Sequence, residues 1–229
     1  MRNRRPKKGY HAKTIAAGLG VAAVVIIITF FALSSGGNNG SGADSRLAYL
    51  KVLPAYPVLG RVNASVTIFQ FGDFQCPTCD YWFKTQENQV VQNLVDTGKA
   101  KLVWRDFVIY GADSVSAAEA AYSAGEQGKF WEYHDLLYSN QKASYSGWAS
   151  PNNLVKFAQG LGLNMAQFNQ SFYGGKFASL VNSNIADAKS VGVSGTPTFF
   201  VVGQNGKIVV IEGAQPYSVF QQAVNSVSG

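Results

Sequence analysis

The chain has 229 residues, of which 47% are hydrophobic and 14% are charged, and its formal net charge is +6. Six basic residues lie within the first 13 positions with no acidic residue among them, and the remaining 13 basic residues balance the 13 acidic ones. The body of the protein is therefore neutral, which removes charge as an argument for nucleic-acid binding, and we predict no nucleic-acid partner.

An uncharged, mostly apolar run follows at residues 14–33 and is long enough to cross a bilayer as a helix. A cleaved signal peptide has a shorter apolar region, of about 7–15 residues, and ends in a small-x-small site. The sequence FFALS at residues 30–34 is a poor cleavage site. We therefore predict a signal anchor, with residues 1–13 as a basic cytoplasmic tail and residues 14–33 as a transmembrane helix. Everything after it lies on the extracytoplasmic side of the cell membrane.

The segment SSGGNNGSGADS at residues 34–45 is rich in Gly, Ser and Asn, a composition typical of a flexible linker. Residues 46–229 then form one domain, long enough to bury a sizeable core.

Strand patterns occupy both ends of this domain, and helical patterns fill its middle. The predicted strands lie at residues 66–71, 101–110, 198–202 and 207–212. The predicted helices lie at residues 80–95, 116–125, 130–138, 151–160, 165–173, 177–191 and 216–227. Asn205-Gly206 predicts a two-residue hairpin between the last two strands. The pattern predicts an α/β fold with a helical insertion at about residues 113–190.

The two cysteines of the chain, Cys76 and Cys79, lie between the first predicted strand and the first predicted helix. A thiol at the start of a helix lies near unpaired backbone N–H groups and the positive end of the helix dipole, so its thiolate form is favoured. A cysteine with a lowered pKa is both a good nucleophile and a good leaving group. Because Cys79 falls on the same face of the helix, the pair predicts a redox centre.

Two other uses of the cysteine pair remain open at this point. A structural disulfide over so short a loop would stabilise the fold by only about 2 kcal/mol. A zinc site would need two further ligands, and the chain offers no other cysteine and only His11 and His134. We predict no metal and no cofactor, and we interpret His134 as a solvated or capped histidine rather than a catalyst.

Four ordered segments are more specific than the cysteine spacing. They are FGDFQCPTC at residues 71–79, WRDF at 104–107, AGEQGKFWE at 124–132 and VSGTPTF at 193–199. In this order they resemble the DsbA-like thiol–disulfide oxidoreductases of the thioredoxin superfamily, in particular the membrane-anchored branch with a single disulfide. The resemblance covers roughly residues 56–224 and implies a thioredoxin fold with an inserted α-helical domain.

The resemblance also implies roles for individual residues. Cys76 matches the attacking cysteine and Cys79 the buried resolving cysteine. Pro197 matches a cis-proline whose loop faces the cysteine pair, and Thr196 matches the residue that pairs with the substrate backbone. These residues are the predicted catalytic and substrate-binding groups.

The sequence departs from the superfamily pattern at two places that tune the thiols. Gln70 occupies the position, six residues before the attacking cysteine, where many members carry a buried carboxylate that tends to raise the thiol pKa. Pro77-Thr78 lacks the histidine that some strong oxidases place between the cysteines. The two departures act in opposite directions on the redox potential, so they leave the oxidising strength of the enzyme open.

Phe74 and Trp82 flank the pair, together with Tyr81, and we predict an apolar platform for unfolded substrate chains, with core packing as the alternative.

These observations predict an extracytoplasmic enzyme that forms or exchanges disulfides in exported proteins through Cys76 and Cys79. Its partners would be reduced or misoxidised exported proteins, the membrane through the anchor, and a membrane quinone-linked reoxidase, which the resemblance implies. A disulfide reductase or isomerase remains an alternative within the enzyme class. A copper carrier or a holdase on the same fold is the alternative without catalysis.

Overall fold

The computed structural model describes residues 41–229. The predicted cytoplasmic tail at 1–13, the predicted transmembrane helix at 14–33 and the start of the predicted linker lie outside the described residues. Within residues 41–229, no helix combines the length and the apolar character that crossing a bilayer requires.

The first described element is helix α1 (Ser41–Tyr49), so residues 41–45 are helical where the sequence predicts flexible linker. The buried guanidinium of Arg105 contacts the end of this helix, where its Nη1 donates a hydrogen bond of 3.0 Å to the carbonyl oxygen of Tyr49. That bond satisfies one of the carbonyl groups that the end of a helix leaves unpaired. The composition of the linker carries no sign of this contact.

A five-stranded sheet forms the centre of the domain. Its strands are β1 (Val58–Leu59), β2 (Val66–Gly72), β3 (Ala100–Asp106), β4 (Thr198–Gly203) and β5 (Ile208–Glu212). The order is β1-β3-β2-β4-β5, in which β2 runs parallel to β3 and antiparallel to β4. The four strands predicted from sequence are present, but β3 ends at Asp106 and not at the predicted residue 110, because the N–H groups of Ile109 and Tyr110 donate to the Asp73 carboxylate and not to a neighbouring strand. The two-residue strand β1 was not predicted, since it is too short to show an alternating pattern.

The helical chain after β2 begins at Pro77, earlier than the predicted start at residue 80. It consists of α2 (Pro77–Trp82), a π-helical segment Phe83–Glu87, α3 (Asn88–Val90) and a second π-helical segment Val91–Val95. Proline is favoured in the first turn because it has no N–H to leave unpaired there and its φ is already helical. Cys76 therefore occupies the N-cap position of the helix.

Five helices lie between β3 and β4 and form the predicted insertion. They are α4 (Ala112–Gly125), α5 (Phe130–Ser139), α6 (Pro151–Gly160), α7 (Met165–Tyr173) and α8 (Ala178–Ser190). The last helix, α9 (Tyr217–Val227), returns to pack on β4. This arrangement confirms the α/β sheet with a helical insertion.

Side chains that alternate along the strands form two cores, one on each face of the sheet. Ile68 and Leu102 belong to the larger core, which also contains the buried side chains of most insertion helices. Phe69 and Val103, the next residues along the same strands, belong to the smaller core on the other face.

A buried polar network ties the insertion to the sheet. Arg105 of β3 donates to Asn184 at 2.6 Å and forms an ion pair of 2.6 Å with Asp187, both on α8. Asp106 accepts hydrogen bonds from Tyr122 of α4 and from Asn184, each at 2.8 Å. Since buried polar groups are costly unless they are paired, this network holds α4 and α8 in one position relative to the end of β3.

Candidate active site at the end of strand β2

The nucleophile position is set by the junction of β2 and α2. Cys76 is the N-cap of α2, with extended φ and ψ of −72° and 120°, and its carbonyl oxygen accepts the first helical hydrogen bond from Asp80 N at 3.1 Å. The Cys76 sulfur thereby faces the backbone N–H groups of Thr78 and Cys79. The prediction of a thiol at the start of a helix is confirmed.

The two thiols differ in acidity because their surroundings differ. The pKa of Cys76 is lowered from an ordinary 9.0 to about 6, chiefly because the Cys79 thiol donates a hydrogen bond to it. Burial acts in the opposite direction, and the nearby Thr196 side chain and the backbone N–H groups of Cys79 and Thr78 lower the pKa further. The pKa of the fully buried Cys79 is raised, first by burial and then by its hydrogen bond and proximity to Cys76. At neutral pH the pair holds one thiolate, at Cys76, and one thiol, at Cys79.

The segment with Thr196 and Pro197 lies directly over Cys76, although about 120 positions separate them in the chain. Because β4 runs antiparallel to β2, its first residue, Thr198, pairs with Phe71 near the end of β2. The Cys76 sulfur lies 3.3 Å from the carbonyl oxygen of Thr196, to which it donates a hydrogen bond when it is protonated. The Thr196–Pro197 peptide bond is cis, as predicted. A surface cavity of about 220 Å³ adjoins this turn, lined by residues 194–198, Glu212 and Gly213.

The residues predicted to tune the thiols lie on different sides of the pair. Gln70 is fully buried in β2, and in the described part of the chain neither polar atom of its side chain has a hydrogen-bond partner. It places a neutral amide where a carboxylate would repel the Cys76 thiolate. Pro77 and Thr78 are exposed, and Thr78 acts on Cys76 through its backbone N–H.

The prediction of a surface platform is wrong for Phe74 and Trp82, because both side chains are buried, with 1% and 0% exposure. Phe74 stacks on Trp104 with ring centroids 4.7 Å apart, and Trp82 packs on Phe199 at 4.7 Å. Both are core residues, and of the three aromatic residues named from the sequence only Tyr81 is exposed.

Asp73, which sequence analysis did not single out, holds together the loops around the pair. The carboxylate is buried and accepts three backbone hydrogen bonds, from Gln75 N at 2.8 Å, Ile109 N at 2.8 Å and Tyr110 N at 3.0 Å. A buried carboxylate needs such donors, since an unsatisfied one would destabilise the fold. An acidic residue directly after an apolar strand was the available sign of this role.

Gln75, the residue before the nucleophile, was also missed. Its side-chain amide is buried and donates to the Tyr110 carbonyl at 3.1 Å and to Ser114 Oγ at 2.9 Å. Its side-chain oxygen accepts from Tyr145 N at 3.3 Å. Gln75 thus connects the cysteine loop to the segment after β3 and to the loop between α5 and α6.

The loop between α5 and α6 makes further contacts to the cysteine loop. Gln141 Nε2 donates to the carbonyl oxygens of Phe74 at 2.7 Å and of Cys76 at 3.1 Å. Ser144 Oγ donates to the carbonyl oxygen of Gln75 at 2.7 Å. The helical insertion therefore supports the backbone on which Cys76 is placed.

A separate group of potential metal ligands lies in the larger core. Across residues 41–229, Glu87, His134 and Asp135 place three ligand atoms within 4.8 Å of one another. The prediction of a solvated His134 is wrong, because its side chain is fully buried among aromatic rings, including those of Trp104 and Trp131, each 5.1 Å away. Its Nδ1 lies 3.1 Å from Asp135 Oδ1.

Comparison with known proteins identifies what this arrangement is similar to. A family model described as Thioredoxin matches residues 53–226. Disulfide bond formation protein D of Bacillus subtilis is 26% identical over 156 residues, which cover 67% of this chain and 69% of that protein. The crystal structure of oxidised BdbD from Bacillus subtilis superposes with a TM-score of 0.69 at 24% identity, covering 78% of this chain and 96% of that one.

Other relatives carry a similar domain within a longer protein. The Na(+)/H(+) antiporter NhaA 1 of Salinispora arenicola is 36% identical over 149 residues, which are 64% of this chain and 22% of the antiporter. The chain thus spans about a fifth of the length of these curated antiporters.

The hydrogen bond between the two thiols predicts how substitutions at Cys79 change the acidity of Cys76. In the dithiol form, Cys79→Ala should raise the Cys76 pKa by about 1–2 units, because a hydrogen bond to a charged group is worth about 1.5–3 kcal/mol. Cys79→Ser keeps an O–H donor and should keep the pKa close to 6. The measurement is the rate of iodoacetamide alkylation of Cys76 against pH. Equal pKa values in the two variants would contradict this account.

Proposed function

The chain belongs to the thioredoxin family, and we propose that it is a thiol–disulfide oxidoreductase that donates the Cys76–Cys79 disulfide to reduced exported proteins. The observation that carries the proposal is the asymmetry of the two thiols, a Cys76 with a pKa of about 6 beside a Cys79 with a raised pKa. A stabilised thiolate favours the dithiol form of the enzyme and so favours transfer of the disulfide to a substrate. The match to disulfide bond formation protein D supports the same class of reaction.

In the proposed reaction a substrate thiolate attacks the Cys76 sulfur of the enzyme disulfide. The S–S bond breaks, Cys79 leaves as a thiolate and takes up a proton, and a mixed disulfide joins the substrate to Cys76. A second substrate thiolate then attacks the substrate sulfur of the mixed disulfide and releases Cys76. The substrate loses two electrons and two protons and gains a disulfide. The enzyme gains the electrons and one proton, which stays on Cys79, while Cys76 is left as a thiolate and the second proton goes to the solvent.

The environment of each cysteine suits its step. Cys76 leaves readily at neutral pH because the Cys79 thiol and nearby backbone N–H groups stabilise its thiolate. Cys79 is buried, which keeps substrates from attacking it and favours its protonated form. We assign Thr196 to pairing with the substrate backbone and Pro197 to the turn that covers the pair, since the Thr196 carbonyl lies 3.3 Å from the Cys76 sulfur.

The alternatives have less support. A reductase or isomerase must keep the pair as a dithiol that is readily oxidised, and the stabilised Cys76 thiolate works against that direction. A copper carrier needs further ligands near the thiols, and in the described residues the one group of three potential ligands contains neither cysteine.

Repeated turnover requires reoxidation of the dithiol, which the family resemblance assigns to a membrane quinone-linked partner. We further propose that residues 14–33 anchor the chain and place the domain outside, where reduced exported proteins are found and disulfides persist. The apolar run and the basic residues before it support this placement.

Trapping of substrates tests the roles of the two cysteines. Cys79→Ala should accumulate mixed disulfides with exported proteins in cells, because its Cys76 thiolate still attacks disulfides of those proteins and no Cys79 thiol is present to displace the bound chain. Cys76→Ala should trap few, because it removes the accessible sulfur. Non-reducing gels with an antibody to the protein measure the difference. Equal trapping by the two variants would show that the assignment of attacking and resolving cysteines is wrong.

The pH dependence of stability tests the direction of transfer. The Cys76 pKa is lower in the folded dithiol form than in the unfolded chain, so the stabilisation is fully present above the ordinary value of 9.0 and is lost as the pH falls through about 6. The dithiol form should gain about 2.6 kcal/mol over the disulfide form between pH 5 and pH 8, measured by urea unfolding. Reduced Cys76→Ser is the matched control and should lack this gain. A gain of equal size in that variant would contradict the proposal.

Protease accessibility tests the topology. Protease added to spheroplasts should degrade the domain after residue 45 while the membrane stays intact, and a cytoplasmic marker protein should survive. Amino-terminal sequencing of the mature protein should give the intact terminus. A mature protein that starts near Ser34 would replace the anchor with a cleaved signal peptide.

A further inference from the structure

A second cavity, of about 200 Å³, lies where the loop between α5 and α6 joins the two helices. Its lining combines two ammonium groups, two amides and two aromatic rings, and among the described residues it contains no carboxylate. The lining residues are Asn140, Lys142, Trp148, Asn153, Lys156 and Phe157. None of them has a part in the proposed redox reaction, so the cavity is a site that this reaction leaves unused.

The two lysines of this cavity carry positive charge that no carboxylate balances. In the described part of the chain Lys84, Lys129 and Lys176 each form an ion pair with an acidic side chain, whereas neither Lys142 nor Lys156 does so. Two like charges that line one concave surface attract an anion together. The attraction is stronger than at an open surface, because the walls of a cleft hold less water and focus the field.

Trp148 forms the buried wall of the cavity. Its side chain is only 4% exposed, and its indole N–H has no hydrogen-bond partner among residues 41–229. A buried donor without a protein partner is uncommon and is often satisfied by a bound water or ion. The wall therefore adds an available donor to the two lysines.

Hydrogen bonds fix the backbone around the cavity. Asn153 Nδ2 and Ser150 N both donate to the carbonyl oxygen of Gly147, each at 3.2 Å. The φ of Gly147 is +74°, a conformation that glycine adopts without steric cost. On the other side, Asn140 Nδ2 donates to the Leu136 carbonyl at 2.8 Å and so pairs one of the carbonyl groups at the end of α5. The lining thus comes from a defined turn between two helix ends.

Helix α6 adds to the positive potential of the cavity. Asn153 belongs to its first turn, and Ser150 at the N-cap makes no side-chain hydrogen bond to that turn. The free N–H groups and the dipole at the start of a helix favour a negative charge nearby. The two lysines, the indole N–H and the start of α6 therefore all favour an anion.

The size and the aromatic lining of the cavity indicate what else the anion carries. A cavity of about 150 Å³ can hold benzene. At about 200 Å³ this one has room for a single ring with a small charged substituent. Trp148 and Phe157 offer rings against which such a ligand can pack.

We propose that this cavity binds a small aromatic anion, whose carboxylate or phosphate group pairs with Lys142 and Lys156 while its ring packs on Trp148 and Phe157. The proposal adds a ligand site to the domain and does not depend on the direction of the redox reaction.

The loop that lines the cavity also holds the cysteine segment. Gln141, directly before Lys142, donates to the carbonyl oxygen of Cys76 at 3.1 Å, and Ser144 donates to that of Gln75 at 2.7 Å. A ligand that binds only the folded loop stabilises it against local opening. The bound anion would therefore hold in place the loop that supports Cys76, without taking part in the exchange of electrons.

Calorimetric titration of the full chain in detergent at low ionic strength tests the site. The probes are phenyl phosphate and benzoate as aromatic anions, inorganic phosphate as an anion without a ring, and benzyl alcohol as a ring without charge. Both aromatic anions should bind once per chain. Inorganic phosphate should bind about fivefold more weakly than phenyl phosphate, as expected for the loss of one aromatic contact, and benzyl alcohol should show no saturable binding.

Substitution of the lysines locates the site. Lys142→Gln and Lys156→Gln should each weaken the binding of phenyl phosphate about tenfold, because each removes one charged partner of the anion. Lys189→Gln is the matched control, an exposed lysine at the end of α8 that does not line the cavity, and should bind as the wild type does. Phenyl phosphate should also slow amide hydrogen exchange in residues 140–157 and leave α8 unchanged.

Several results would overturn the proposal. These are the absence of saturable binding by either aromatic anion, or benzyl alcohol that binds as tightly as phenyl phosphate. Equal weakening by Lys189→Gln would show attraction to the overall charge instead of a site, and protection confined to residues outside 140–157 would place the ligand elsewhere. Because none of these measurements includes a redox step, they stand or fall separately from the proposed function.

Discussion

The buried carboxylate of Asp73 is the constraint on which the geometry of the site depends. Its two oxygens accept the backbone N–H groups of Gln75, Ile109 and Tyr110, and so join the end of β2 to the segment after β3. The backbone carbonyl oxygen of Asp73 also accepts a hydrogen bond of 3.1 Å from Cys76 N. Because a buried carboxylate is stable only with such donors, the loop has little freedom to move Cys76 away from the start of α2. The same bonds place Tyr110 beside the thiol.

Opposite environments for two identical side chains follow from this placement. Cys76 is at the N-cap, where backbone N–H groups and the Cys79 thiol stabilise its negative charge, whereas Cys79 is inside the core, where burial favours the neutral thiol. Gln70 adds no charge beneath the pair. The helical insertion contributes as well, since Gln141 donates to the Cys76 carbonyl. Acidity at Cys76 is therefore a property of the assembled domain and not of the CPTC segment alone.

Much of the fold could be predicted because its signals are local. Alternation of β-branched and aromatic residues marks strands, apolar spacing marks helices, and Asn205-Gly206 marks the hairpin between β4 and β5. The errors lie where a distant contact decides the outcome. The last carbonyl of helix α1 accepts a hydrogen bond from Arg105, which is far away in sequence. The strand at Val58–Leu59 is recognised by its pairing with β3.

At the site, the sequence by itself determined the chemistry that is available: two thiols on one turn of a helix, and a Thr196-Pro197 segment that the family resemblance brought to them. Tertiary structure alone decided which aromatic side chains surround the thiols. Phe74 and Trp82 are close to the cysteines in sequence yet buried, and Tyr145 is distant in sequence yet exposed, with its N–H bonded to the side chain of the residue before Cys76. The physical reason is that burial and side-chain direction depend on packing between segments about 70 residues apart, and no local pattern records which segments meet.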